Sequence, residues 1–241
     1  MKKCIMGFFM AWGMFLSIPC PCKEWDESAR NHMLCSFPLI GILVGAVWAL
    51  SAWVGHFLPT ALGAVLCAVT PWAVSGFIHL DGYMDVCDAV LSRRDLETRQ
   101  RILKDSRCGA FAVIGMVLLA LTQWGAFFGA SVNLWVLGII PVASRACASL
   151  AVHMLRPMGS SQYAAMERKR APVIWCALWM AAAMVIPMIL WNSFAPAVTA
   201  CTCWLWVYGA YRQLDGMSGD VSGFGLTLGE LCGVLMLVLV R

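Results

Sequence analysis

Long apolar runs alternate with short polar islands along this chain, and the run lengths dictate membrane-crossing helices. No Asp, Glu, Lys or Arg occurs from Asn31 to Leu80. That is room for two crossings of about 20 residues each, at about 37–57 and 60–78, with a turn near His56 to Pro59. From Cys108 to Leu155 the only charge is Arg145, and the run divides near Ser131 to Asn133 into two further spans. Ala171 to Tyr211 is uncharged and splits at Asn192 to Pro196 into two more. A last span covers about Val221 to Val240, with Glu230 inside it. The pattern predicts an all-α fold, a polytopic integral membrane bundle of about six to eight transmembrane helices, with residues 1–241 forming one domain.

The polar islands are Lys23 to Arg30, His79 to Arg107, Arg156 to Arg170 and Arg212 to Asp220. Two spans separate each neighbouring pair, so all four emerge on one side. That side holds Arg93, Arg94, Arg99, Arg101, Lys104, Arg107, Arg168, Lys169 and Arg170, and an excess of Lys and Arg marks it as cytoplasmic. The expected location is the cell membrane, multi-pass, with a cytoplasmic catalytic loop at about 79–107.

Composition sharpens this reading. Hydrophobic residues make up 61% of the 241 and charged residues 12%, against about one-quarter charged in a soluble domain. The net charge of +4 is ordinary for such an orientation and calls for no nucleic acid partner. The 12 cysteines are scattered through apolar runs and read mostly as small packing residues; Cys20-Pro-Cys22 and Cys201-Thr-Cys203 lack the spacing of zinc or thioredoxin sites. Met1 to Ser17 begins as a signal peptide does, yet no small-x-small cleavage site follows. A short anchoring or re-entrant helix is expected there.

Candidate chemistry concentrates in Gly76-Phe77-Ile78-His79-Leu80-Asp81-Gly82-Tyr83-Met84-Asp85-Val86-Cys87-Asp88. On a helix, Asp81, Asp85 and Asp88 recur at i, i+4 and i+7 and share one face. Like charges at that spacing repel, and a hard cation that retains open positions for phosphate, Mg2+, resolves the conflict. A solvated acidic helix end has the same spacing; the membrane boundary and the basic segment that follows favour the functional reading. His79 is an outer ligand, a base or a hydrogen-bond donor.

Lys104-Asp105-Ser106-Arg107-Cys108-Gly109-Ala110-Phe111 reads equally as a phosphate site, with Gly109 admitting close backbone approach, or as a juxtamembrane anchor on lipid headgroups. Arg145 costs at least roughly 2.5 kcal/mol in lipid and should face the interior, toward the Asp81 cluster or a substrate phosphate. Asp215-Gly216-Met217-Ser218-Gly219-Asp220 suits a phosphate- or ribose-wrapping loop or a tight turn. Glu230, deeper still, should pair internally.

In order along nearly the whole chain, these blocks resemble the cobalamin synthase family, the adenosylcobinamide-GDP ribazoletransferases. The matching motifs are Gly76 to Asp88, Lys104 to Phe111, Phe37-Pro38-Leu39-Ile40-Gly41, Ser144-Arg145, and Gly216 to Val221 with Glu230 beyond. Two departures stand out. Phe15-Leu16-Ser17-Ile18-Pro19 lacks the arginine of the amino-terminal pattern, and Asp215 replaces a common glycine.

The resemblance implies joining of adenosylcobinamide-GDP to α-ribazole or its 5'-phosphate, with release of GMP. Membrane lipid surrounds the enzyme, and a homo-oligomer is compatible with the pattern. It implies Mg2+ on Asp81, Asp85 and Asp88, with Asp105 joining, and phosphate contacts from Lys104, Arg107 and Arg145. Ser106, Gly109, Asp215, Gly219 and Asp220 complete the substrate site, and His79 or one aspartate assists deprotonation. Two rival readings are a CDP-alcohol-type phosphotransferase, whose fuller motif breaks at Tyr83-Met84-Asp85, and a transporter using Arg145 and Glu230 as pathway residues.

Overall fold

Each long apolar run is helical, since in lipid the backbone must satisfy its own hydrogen bonds. The computed structural model describes residues 2–159, 161–164 and 166–240; Met1, Ser160, Ala165 and Arg241 lie outside them. Among the described residues the elements are all helical: α1 Lys2–Phe15, a 3-10 turn Glu27–Ala29, α2 Arg30–Cys35, α3 Phe37–Gly55, α4 Thr60–Val74, α5 Ile78–Leu91, α6 Leu96–Ile102, α7 Ala110–Phe127, α8 Leu134–Met154, α9 Arg170–Trp191, α10 Ala195–Leu214 and α11 Gly219–Leu239. Five of them, α3, α7, α8, α9 and α11, are long and apolar enough to cross a membrane. The pair α4 and α5 adds a sixth if taken as one span bent by 91°. The chain is a multi-pass membrane protein.

Burial ranks the helices. α8 lies at the centre, with 83% of its apolar window buried, whereas α9 has 17% and offers most of its surface to lipid. α3 meets α8 backbone to backbone: a Cβ on Gly45 would stand 1.9 Å from the Gly138 carbonyl oxygen. Such small-residue contact is how helices associate where no hydrophobic force separates them from lipid. α10 has the length of a span, 20 residues, but is less apolar than the five.

The expected span 60–78 ends early. Gly76 and Phe77 both take left-handed backbone angles (φ 61° and 59°), so the chain turns sharply after α4. The Ser17 amide donates to the Val74 carbonyl across the break, at 2.8 Å, which uses the tail of α1 to satisfy a helix end. The expected catalytic loop 79–107 is therefore mostly helix, α5 and α6 joined by a turn in which Arg93 has φ 53°.

The four polar islands converge at one end of the bundle. Arg30 Nη1 donates to the Gln162 carbonyl (3.2 Å) and Asn31 Nδ2 to the Glu167 carbonyl (3.1 Å). Met158 and Met217 share a backbone bridge, with the Met158 amide donating to the Met217 carbonyl at 2.9 Å. Gln100 Nε2 donates to the Leu214 carbonyl at 2.8 Å. Every island touches another.

Candidate active site

Close packing of α5 on α11 assembles the acidic centre. A Cβ on Gly82 would stand 2.8 Å from Asp220 Cα, so only glycine lets the first turn of α11 lie against α5. Asp81, Asp85 and Asp220 are thereby neighbours: the charges of Asp81, Asp220 and Asp88 all bear on Asp85, and that of Asp81 on Asp220. Asp81 is exposed, while Asp85 and Asp220 are half-buried. Ser218 caps α11, its Oγ accepting from the Val221 amide at 3.3 Å and donating to Asp220 Oδ2 at 3.3 Å. The carboxylates thus stand beside a helix N-terminus, where free amides attract anions.

Asp88 has a different task from the one its spacing suggests. Its Oδ2 accepts from the Gly109 amide at 2.6 Å and its Oδ1 from the Ala112 amide at 2.9 Å, so it caps α7. A Cβ on Gly109 would stand 2.6 Å from Asp88 Oδ1. Gly109 therefore makes room for a carboxylate of the protein, where the sequence suggested room for a ligand. Asp105 does not enter the cluster either. Arg107 grips it, Nη2 to Oδ2 at 2.7 Å and Nε to Oδ1 at 3.0 Å, and the guanidinium holds the Asp105 carboxyl down at about 2. Ser106 beside them is exposed.

A cleft of about 270 Å3 opens next to Asp220, lined by Leu103, Lys104, Met158, Ser161, Gln162, Ser218, Gly219 and Asp220. Lys104 puts a cation at this mouth, which can hold phosphate oxygens. Tyr163, whose hydroxyl would lie 3.9 Å from a Cβ on Gly219, is buried, and burial pushes the phenol up to about 12, so it stays a neutral hydroxyl. A second, open groove of about 670 Å3 is lined by Arg94, Asp95, Thr98, Arg101, Ile102, Asp105 and Arg107. Asp215 lies outside both, paired with Arg156 at 2.6 Å. Its φ of 55° is left-handed, where glycine is unstrained.

Arg145 and His79 are also elsewhere. Arg145 is fully buried and paired with Glu230 at 2.7 Å, with Ser75 Oγ accepting from its Nη2 at 2.9 Å and Phe37 beneath it at 5.7 Å. Its counterpart is Glu230, which pairs internally as expected, and not the Asp81 cluster. His79 falls about 160° around α5 from Asp81 at 100° per residue. Its ring stacks on Phe15 (5.7 Å) and meets Phe37 edge-on (5.5 Å). It faces the Arg145 interior, away from the carboxylates. Ser161 and Gln162 had no signal in the sequence; Ser218 lay within the expected loop, where a capping serine before an apolar run is a helix-start signal.

The family model described as cobalamin-5-phosphate synthase matches residues 7–238. The chain belongs to the cobalamin-5-phosphate synthase family. It is 37% identical over 98% of its length to the adenosylcobinamide-GDP ribazoletransferase of Clostridium perfringens (strain 13 / Type A), covering 99% of that protein. Proteins of the same name from Clostridium botulinum (strain Alaska E43 / Type E3) and Geobacillus thermodenitrificans (strain NG80-2) are 34% and 30% identical, over 97% and 99% of this chain and 97% and 98% of theirs. No solved structure matches. Membership makes this cobalamin synthase relative a membrane transferase of cobalamin biosynthesis, its acidic centre at the polar end of the bundle.

Proposed function

We propose that the chain joins adenosylcobinamide-GDP to α-ribazole, or its 5'-phosphate, at the Asp81, Asp85 and Asp220 centre. A ribose hydroxyl attacks the corrinoid-linked phosphorus, a new phosphodiester bond forms, the pyrophosphate bridge breaks, and GMP leaves. The observation that carries this reading is the meeting of carboxylates from two helices beside the Lys104 cleft. Their hard oxygens suit Mg2+, and Asp81, Asp85 and Asp220 would hold it. Bound there, Mg2+ supplies charge neutralisation for the pyrophosphate and the departing GMP.

The protein's own groups do the positioning. Lys104 and the amides at the start of α11 bind phosphate oxygens. The 270 Å3 cleft lies below the roughly 300–1,000 Å3 of pockets that enclose a drug-sized ligand, so it fits a ribose phosphate fragment while the corrin ring stays outside. The arginines of the neighbouring groove attract the second phosphate group. An aspartate of the centre accepts the hydroxyl proton, since His79 faces the other way. The excess of Lys and Arg at this end makes it cytoplasmic in the cell membrane, open to soluble nucleotides.

The test is purified protein in detergent, supplied with both substrates and Mg2+, with products read by mass spectrometry. The expected result is the phosphodiester product and GMP in equal amounts, abolished by chelation and restored by Mg2+. Release of GMP without the joined product contradicts the proposal.

A further inference from the structure

A second cluster of ligating side chains lies away from the acidic centre. Cys35 ends α2, His153 is in the last turn of α8, and Cys176 is two turns into α9. One ligand atom from each lies within 4.8 Å of the other two. His153 is 3% exposed, and among the described residues neither ring nitrogen has a hydrogen-bond partner. Buried polar atoms are nearly always satisfied, so an imidazole with two idle nitrogens beside two thiols points to a missing ligand.

The surroundings fix these side chains. Ser149, one turn before His153 on α8, places its Oγ 3.2 Å from Cys176 Sγ while donating to the Leu34 carbonyl at 2.8 Å. Trp175 Nε1 donates to the Cys35 carbonyl at 3.0 Å. Three helices are thus held together around the cluster.

We propose that Cys35, His153 and Cys176 form a site for a soft d10 divalent cation, Zn2+ in class. Zn–S bonds of about 2.3 Å at the tetrahedral angle put two sulfurs roughly 3.8 Å apart, within small side-chain rotations of the observed spacing. Binding displaces one proton from each thiol to solvent and forms two Zn–S bonds and one Zn–N bond. Two thiolates, a neutral imidazole and a divalent ion sum to zero charge, which an apolar setting tolerates; a monovalent ion would leave a buried negative charge. Half-buried Cys35 leaves the fourth position to water.

The site stands at the root of the segment 155–169, which starts just after His153 and supplies Ser161 and Gln162 to the cleft. The ion would fasten both ends of that segment to α2. Its role is structural and separate from the acidic centre.

Full-length protein purified in detergent with reductant, stripped with chelator and re-exposed to Zn2+ provides the test. About one zinc per chain is expected after desalting, and Co2+ in its place should give the thiolate charge-transfer and d–d bands of tetrahedral coordination. Cys35→Ser, Cys176→Ser and His153→Gln should each lower occupancy at least tenfold, while Cys201→Ser, at an exposed cysteine, should leave it unchanged. Should a ligand variant fail to fold, alkylation of wild-type Cys35 serves instead: Zn2+ should slow it and chelation restore it. Zinc below one-tenth per chain, occupancy indifferent to these variants, alkylation indifferent to zinc, or a Cys35–Cys176 disulfide in the reduced preparation would overturn the proposal.

Discussion

Gly109 and Asp88 act as one unit, because the carboxylate occupies the space a methyl group would take. Gly109→Ala should therefore dislodge the cap of α7 and cost about 1–3 kcal/mol, read as a lowered midpoint in thermal unfolding of the detergent-solubilised protein. Asp215→Gly should be close to neutral despite the lost ion pair. It gives up an exposed pair worth about 0–1 kcal/mol and relieves a left-handed residue, so activity within twofold of wild type and an unchanged midpoint are expected. The Asp105 carboxyl is held near 2 by Arg107. Its folded-state value is depressed, so whatever the pair contributes is present above pH about 4 and is lost as pH falls toward 2; Asp105 should not shape a rate profile near neutrality. Helical periodicity put Asp81, Asp85 and Asp88 on one face, and the helix is there. Periodicity says nothing about what packs on that face, which is why the cap by Asp88 and the pairing of Asp105 were not legible.

At the scale of helices, the site is made by the contact of α5 with α11. Gly82→Ala inserts a Cβ 2.8 Å from Asp220 Cα, so α11 must shift. A displacement near 1 Å is expected to cost about 10²-fold in turnover with a small loss of stability, separable by measuring kcat and the unfolding midpoint on one preparation. Arg145 and Glu230 staple α8 to α11 in the apolar interior. Arg145→Leu alone strands a buried carboxylate and should destabilise by about 3–5 kcal/mol, whereas Arg145→Leu with Glu230→Leu should recover most of that; equal losses in the single and double variants would contradict the pairing. The sequence held a clue here, since Arg145 and Glu230 are isolated charges of opposite sign in separate apolar runs. The bend between α4 and α5 left no comparable clue, because it depends on Phe77 joining Gly76 in a left-handed conformation that a phenylalanine rarely adopts.

For the whole molecule, apolar run lengths foretold a helical membrane bundle, and the four polar islands, expected on one side, do meet at one end of the bundle. Which carboxylates converge depends on how helices distant in sequence pack, and that came only from the structure. The proposed orientation, with the basic polar end toward the cytoplasm, predicts that an epitope inserted after Arg94 binds antibody in inside-out vesicles and one inserted after Ser131 in right-side-out vesicles. The central claim is that Asp81 and Asp85 of α5 join Asp220 of α11 in holding the catalytic Mg2+. The most direct measurement is the Mg2+ dependence of product formation for Asp220→Asn beside Asp105→Asn. The account predicts that Asp220→Asn raises the Mg2+ requirement and lowers the saturated rate at least tenfold, while Asp105→Asn leaves the Mg2+ requirement unchanged; the reverse pattern, or equal Mg2+ curves for both, would contradict it.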